Sequence, residues 1–100
     1  MLAADEAKKI GIRTCIEAIG RSFYEEHGDN SVYSYGENDG WMNCFVGVSD
    51  LPDPSLNCKL SEMSSYTLTD GNSWPYYAFC DVDMESGRTV LGEVKRPEAL

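Results

Sequence analysis

The sequence predicts an α+β domain in which one N-terminal helix packs across a curved antiparallel sheet of four to five strands. Two observations predict this fold. Apolar residues follow a helical period up to about residue 27, and after Gly28 the period changes to two, as in half-buried strands. Turn-forming residues then divide the chain into runs of strand length. A chain of 100 residues has the size of one domain, so residues 1–100 are predicted to form a single domain.

The helix is predicted over residues 4–27. Its apolar residues recur at i, i+3, i+4, i+7 and i+11, which places them on a single buried stripe. The stripe consists of Ile12, Cys15, Ile16, Ile19 and Phe23. Gly20 lies beside this stripe, and its lack of a side chain is expected to let a strand approach closely. His27 is expected in the last turn, where it interacts favourably with the helix dipole, and Gly28 just past the C-terminal end.

Five strands are predicted from the alternation of apolar residues. They cover residues 31–36, 41–49, 63–69, 74–84 and 89–94. Asp39-Gly40 favours a tight hairpin with positive φ between the first two strands. One helix followed by consecutive antiparallel strands resembles the cystatin-type grip, and the resemblance implies that the helix lies across the sheet.

The charge of the chain is unevenly distributed. The formal net charge is −9. The 66 residues from Ser22 to Gly87 carry twelve acids against Lys59, a charge of −11 with His27 neutral, whereas each end of the chain is slightly positive. Such a chain repels nucleic acid and anionic membranes and attracts basic proteins. We therefore expect a basic protein partner, with no direct binding of nucleic acid or membrane.

The N-terminal residues and the apolar runs bear on the compartment. Residues 1–5 have neither the basic nor the apolar region of a secretory signal, and no apolar run approaches the ~20 residues that span a bilayer. A cytoplasmic location is expected, and export stays open if a signal peptide has been removed.

The four cysteines have no metal-site spacing. None forms a C-x-x-C pair, and His27 is the single histidine, so no zinc set is complete. Buried reduced thiols are expected for these residues, and a disulfide such as Cys44–Cys80 is the alternative for an exported protein. The cysteines are Cys15, Cys44, Cys58 and Cys80.

The sequence predicts no catalytic, metal-binding or cofactor-binding residue. Asp81, Asp83 and Glu85 alternate along a strand, which spreads their carboxylates about 7 Å apart, too far for a calcium cage. No residue pattern pairs a nucleophile with a base. We therefore expect a protein that is not an enzyme and that needs no cofactor.

Aromatic residues are expected on the sheet face away from the helix. Six fall opposite the cleaner apolar alternation, namely Tyr33, Tyr35, Trp41, Phe45, Tyr77 and Phe79. Tyr and Trp beside charges are typical of binding surfaces, although some of these rings would alternatively fill a second small core under the loop at residues 51–60. The predicted partner-binding residues are Tyr33, Tyr35, Glu37, Asp39, Trp41, Asp50, Asp53, Trp74, Tyr77, Asp81, Asp83 and Glu85.

The leading hypothesis is a non-enzymatic, acidic protein-binding module. In its most concrete form it is an inhibitor that docks on a basic, nucleic-acid-binding protein. The chain resembles phage anti-restriction and anti-CRISPR inhibitors and toxin-neutralising immunity proteins in size and charge. The alternatives are a small-ligand domain with an aromatic cup at Trp41, Tyr77 and Phe79, and a small cysteine- or carboxylate-dependent enzyme. The oligomeric state stays open, since an edge strand is able to pair two copies.

Overall fold

A computed structural model describes residues 1–49 and 74–97, and the strand predicted at residues 63–69 lies outside them. The elements in chain order are α1 (Ala4–Ile19), α2 (Arg21–His27), a short 3₁₀ helix (Gly28–Asn30), β1 (Ser31–Asn38), β2 (Trp41–Val48), β3 (Tyr76–Asp83) and β4 (Thr89–Lys95). The four strands form an antiparallel sheet in the order β1-β2-β3-β4, with α1 packed on it. The predicted α+β arrangement is confirmed. None of the helices in the described ranges is both long and apolar enough to cross a membrane.

The predicted single helix over residues 4–27 is wrong in one respect, because it is divided at Gly20. This residue has φ 124° and ψ 114°, a conformation that is open to glycine and costly for other residues. The Gly20 N–H ends α1 by donating to the carbonyl of Ile16 at 2.9 Å. The Gly20 carbonyl begins α2 by accepting from the N–H of Tyr24, also at 2.9 Å. Gly20 therefore redirects the helix.

The close approach of helix and sheet occurs at Gly11 and not at Gly20, where it was predicted. The most buried residues of α1 recur every four positions, and Gly11 is among them. A methyl group at Gly11 would overlap the Sγ of Cys44 and lie 2.9 Å from its Cβ and 3.2 Å from Cγ2 of Val82. The absence of a side chain therefore lets the backbone of α1 rest directly on β2 and β3.

The main core lies between α1 and the face of the sheet that it covers. The even-numbered residues of β2 and β3 form this face of the sheet. Its buried strand residues are Met42, Cys44, Val46, Val48, Ala78, Cys80 and Val82, and Met84 of the following turn packs with them. Because α1 packs mainly over the two central strands, the helix-side face of edge strand β1 is left partly uncovered.

Three of the cysteines belong to this core. Cys15, Cys44 and Cys80 are free thiols and buried, as predicted, whereas Cys58 lies outside the described residues. Cys44 and Cys80 are direct register partners on β2 and β3. Burial raises the pKa of the Cys44 thiol to about 12, so it stays protonated at neutral pH. A hydrogen bond with Cys80 and burial both raise the pKa of Cys15.

Candidate protein-binding surface

Two acidic turns meet at one end of the sheet. The β1–β2 turn has Asp39 at φ 50° and Gly40 at φ 81°, as the Asp-Gly sequence predicts. The N–H of Met84, in the β3–β4 turn, donates to the carbonyl of Gly40 at 3.0 Å and joins the two turns directly. We call this region the acidic turn end, and its residues are Glu37, Asp39, Trp41, Asp81, Asp83 and Glu85.

The half-buried Trp41 is the aromatic residue of the acidic turn end. It lines an open depression of about 530 Å³ on the outer face of the sheet, the face away from α1. The residues that line the depression are Asn38, Asp39, Trp41, Asn43, Asp81 and Val90. An indole ring beside carboxylates gives both contact area and charge, a combination found where proteins bind each other.

Asp81 is held in place by a neighbouring strand. It is the register partner of Asn43, and the Nδ2 of Asn43 donates to the Oδ1 of Asp81 at 2.6 Å. The amide fixes the carboxylate on the outer face beside the Trp41 depression. A fixed carboxylate loses little conformational freedom when it meets a cation.

Asp83 forms hydrogen bonds within the β3–β4 turn. Its Oδ1 accepts from the backbone N–H of Glu85 at 2.9 Å, and its carbonyl accepts from the N–H of Gly87 at 2.7 Å. Donation by the Glu85 N–H is the main cause that lowers the pKa of Asp83, and Ser86 and Arg88 add to it. Asp83 therefore stabilises the turn that presents Glu85 at the surface.

Replacing Asp83 with Asn is expected to remove an acid-dependent part of the stability. Because the folded protein lowers the pKa of Asp83, its carboxylate stabilises the fold above the unfolded pKa of about 4, and this stabilisation is lost as the pH falls through the folded pKa. Asp83→Asn should therefore be less stable than the native chain at pH about 7. Urea unfolding at pH about 7 and about 2.5 tests this, and a stability gap that stays constant on acidification would contradict it.

The prediction that Tyr33 and Tyr35 share the outer face with the acids is wrong. The two-residue turn pairs Asn38 with Trp41, so odd-numbered residues of β1 lie beside even-numbered residues of β2. Tyr33 is consequently opposite Val46, on the helix side, and its ring stacks with that of Tyr35 at 6.4 Å. These two tyrosines form a separate surface beside α1.

Trp74 and Tyr77 are packed inside a second, smaller core on the outer face. Trp74 is 2% exposed and Tyr77 is 8% exposed. The Tyr77 hydroxyl donates to Oε1 of Glu93 at 2.5 Å, and this hydrogen bond raises the pKa of Tyr77. This cluster agrees with the alternative prediction that some outer-face rings fill a second small core, although the loop at residues 51–60 lies outside the described residues. The members of the cluster are Val32, Phe45, Trp74, Tyr77 and Phe79. We leave Trp74 and Tyr77 out of the proposed contact surface because their rings are covered.

The remaining acids lie elsewhere. Eight of the twelve acids between Ser22 and Gly87 have described side chains, and five of these are at the acidic turn end. The other three are exposed and lie on α2 and in the 3₁₀ helix, namely Glu25, Glu26 and Asp29. Phe23 of α2 contacts Tyr76 at the opposite end of β3, with ring centroids 5.1 Å apart, so these acids are remote from the turns. Asp50 and Asp53 lie outside the described residues.

Comparisons with known proteins provide no relative for this chain. No protein-family model, curated protein or solved structure matches it.

Proposed function

We propose that the protein is a non-enzymatic binding module whose acidic turn end docks on a basic protein surface. The observation that supports this most is the joining of two acidic turns around Trp41 by the hydrogen bond from Met84 to Gly40. That bond brings carboxylates from two strands, β1 and β3, and from two turns to one end of the sheet. A basic surface would meet several fixed charges and an aromatic ring in one contact.

The partner class follows from the sign and density of the charge. Surfaces that carry several Lys and Arg side chains together are typical of proteins that bind nucleic acid. Carboxylates clustered as they are at the acidic turn end would compete with phosphates for such a surface. The concrete form of the proposal is thus an inhibitor that occupies a nucleic-acid-binding surface.

A displacement experiment tests this proposal. The chain is added to purified basic nucleases and other nucleic-acid-binding proteins that hold a fluorescent oligonucleotide, at about 50 mM and about 300 mM salt. For a true partner, the chain should release the oligonucleotide and should itself bind about tenfold or more weakly at the higher salt, since charge attraction is screened. Binding that is insensitive to salt, or that leaves the oligonucleotide in place, would contradict the proposal.

The packing of the outer face does not favour the aromatic-cup alternative. Tyr77 and Phe79 pack against Phe45, with ring centroids 6.3 Å and 4.8 Å from it, whereas Trp41 lines the separate depression near the turns. The three rings of the expected cup therefore do not face one cavity.

A further inference from the structure

A second surface of the molecule has the opposite charge. It is a groove of about 300 Å³ along the flank of α1 that faces β1. Its lining combines an apolar floor with cations, namely Ile12, Ile16 and Tyr33 with Lys8, Lys9, Arg13 and Arg21. Four of the eight Lys and Arg residues of the chain are therefore collected at one groove in an acidic protein.

The helix repeat builds this groove beside the core. Lys8, Ile12 and Ile16 each follow directly after a buried residue of α1 and recur every four positions, so they share one flank. The two isoleucines are half-buried and remain partly open to solvent. Because α1 is centred over β2 and β3, the space between this flank and β1 is not filled by the helix.

Lys8 is positioned over the tyrosines of β1. Its Nζ lies 5.7 Å from the ring centroid of Tyr33 and 4.7 Å from that of Tyr35. Contact with the ring faces holds the ammonium group at the edge of the groove by cation–π attraction. Tyr35 is nevertheless 49% exposed, so the ring is accessible to a partner.

The positive charge of the groove is largely available for binding. Within residues 1–49 and 74–97, Lys8 and Arg13 form no ion pair. Lys9 pairs with Asp5 within α1, and Arg21 at the start of α2 pairs with Glu17 of α1, each at 3.4 Å and each exposed to solvent. Exposed pairs of this kind contribute little, about 0–1 kcal/mol, and exchange readily for another carboxylate.

Strand β1 provides a backbone edge next to the groove. Among the described strands it pairs with β2 alone, so no described strand pairs with the backbone N–H and carbonyl groups of its other edge. An extended segment is able to add to such an edge by main-chain hydrogen bonds, and alternate side chains then point to the same side. On the helix side, those side chains would reach the floor and the cations of the groove.

We propose that this groove binds an extended acidic segment of a partner protein, added as a strand beside β1 with apolar and acidic side chains in the groove. The cations select carboxylates by charge complementarity, and the isoleucines and Tyr33 favour apolar side chains between them. A free phosphate would contact the Lys and Arg side chains of the groove and would leave its apolar floor exposed to solvent. The groove is separate from the acidic turn end and would hold a partner of the opposite charge.

Binding of a designed peptide to the full chain tests the proposal. The probe is a fluorescent nine-residue peptide with glutamate and valine in turn at its odd-numbered positions and threonine at its even-numbered positions, so that one face of the strand carries both acidic and apolar side chains. The controls are the same peptide with every backbone amide N-methylated, which keeps the charge and prevents strand pairing through either edge, and the same peptide with lysine in place of glutamate. The acidic peptide should bind, and each control should bind about tenfold or more weakly. The N-methylated control lacks the main-chain hydrogen bonds, and the lysine control lacks the negative charge. Equal binding of the N-methylated peptide would overturn the proposal.

Matched variants locate the site. The double variant Lys8→Gln with Arg13→Gln should weaken binding of the acidic peptide about tenfold. The control is the double variant Arg88→Gln with Lys95→Gln, which makes the same change of charge at exposed positions of another region. The control should alter the affinity less than about twofold. Amide NMR shifts on titration should concentrate in residues 8–16 and 31–38. Equal weakening by both pairs would overturn the proposal. So would peptide-independent dimerisation that the Lys8 and Arg13 changes abolish, because the occupant would then be a second copy of the chain.

Discussion

Trp74→Ala should lower the free energy of unfolding by about 3–5 kcal/mol, the usual effect of removing a buried large aromatic side chain. Trp74 is 2% exposed and packs on Gly47, where an added Cβ would come within 2.7 Å of the indole. Its ring also belongs to the small core with Phe45 and Tyr77. Alanine would leave a cavity there and expose the rings that Trp74 covers.

The control for this prediction is Trp41→Ala, the same chemical change on the same face of the sheet. Trp41 is only half-buried and lines the open depression, so its removal leaves no enclosed cavity. Urea unfolding should show a clearly smaller loss of stability for Trp41→Ala than for Trp74→Ala. Equal losses, or a loss below about 1 kcal/mol for Trp74→Ala, would contradict the proposed outer core.

Gly11→Ala is expected to destabilise the fold by about 1–3 kcal/mol, although alanine is the better helix former by about 1 kcal/mol. The added methyl overlaps the Sγ of Cys44 and lies close to its Cβ, so α1 or β2 must shift. A tightly packed interior resists that shift. The result would show that the helix rests on the sheet at this residue.

A second glycine and a double variant make this test specific. Gly28 has φ −60° and no atom within 4 Å of an added Cβ, so Gly28→Ala should leave stability within about 0.5 kcal/mol or raise it slightly. Combining Gly11→Ala with Cys44→Ala removes the overlapping sulfur and should recover about 1 kcal/mol relative to the sum of the single changes. Additive effects of the two changes would argue against direct contact between these residues.

The predictable parts of the fold are those in which one local pattern decides the structure. Residues 41–49 and 74–84 alternate between apolar and other side chains, and a helix covers one face, so their orientation follows from the sequence. Asp39-Gly40 fixes the hairpin because this pair accepts positive φ at both positions. The alternation in residues 41–49 also predicts that Trp41 lies on the face away from the helix-side core.

The parts that could not be predicted depend on choices that local patterns leave open. Gly11 and Gly20 look alike in a helical sequence, yet one is buried against Cys44 and the other ends the helix. The contacts that a glycine makes with the sheet decide its role, and the helical period of the sequence does not predict those contacts. In β1 neither set of alternate residues is clearly apolar, and the turn length decided that Tyr33 and Tyr35 face the helix side.

The candidate site was predictable in its charge and less so in its shape. The excess of acids between Ser22 and Gly87 indicated an acidic surface. Asp39 and Asp81 do line the depression with Trp41, and Asp83 is the register partner of Trp41, whereas Glu37 is opposite Met42 and lies on the helix side of the sheet. The two helices carry five acids against four Lys and Arg residues and are therefore close to neutral, but Glu25 and Glu26 form a second acidic group on α2 that is remote from the turns. The cationic groove was missed because its members are spread over α1, α2 and β1, although Lys8, Ile12 and Ile16 show helical spacing in the sequence.

The most direct test of the binding proposal compares two variants of equal charge against one basic, nucleic-acid-binding partner. The first neutralises the acidic turn end through Asp39→Asn, Asp81→Asn and Glu85→Gln, and leaves Asp83 in its turn. The second neutralises the opposite end through Glu25→Gln, Glu26→Gln and Asp29→Asn. The first variant should bind about tenfold or more weakly than the native chain and release less bound oligonucleotide, and the second should differ less than about threefold. Equal weakening of both would show that net charge alone drives binding and would contradict a docking surface at the acidic turn end.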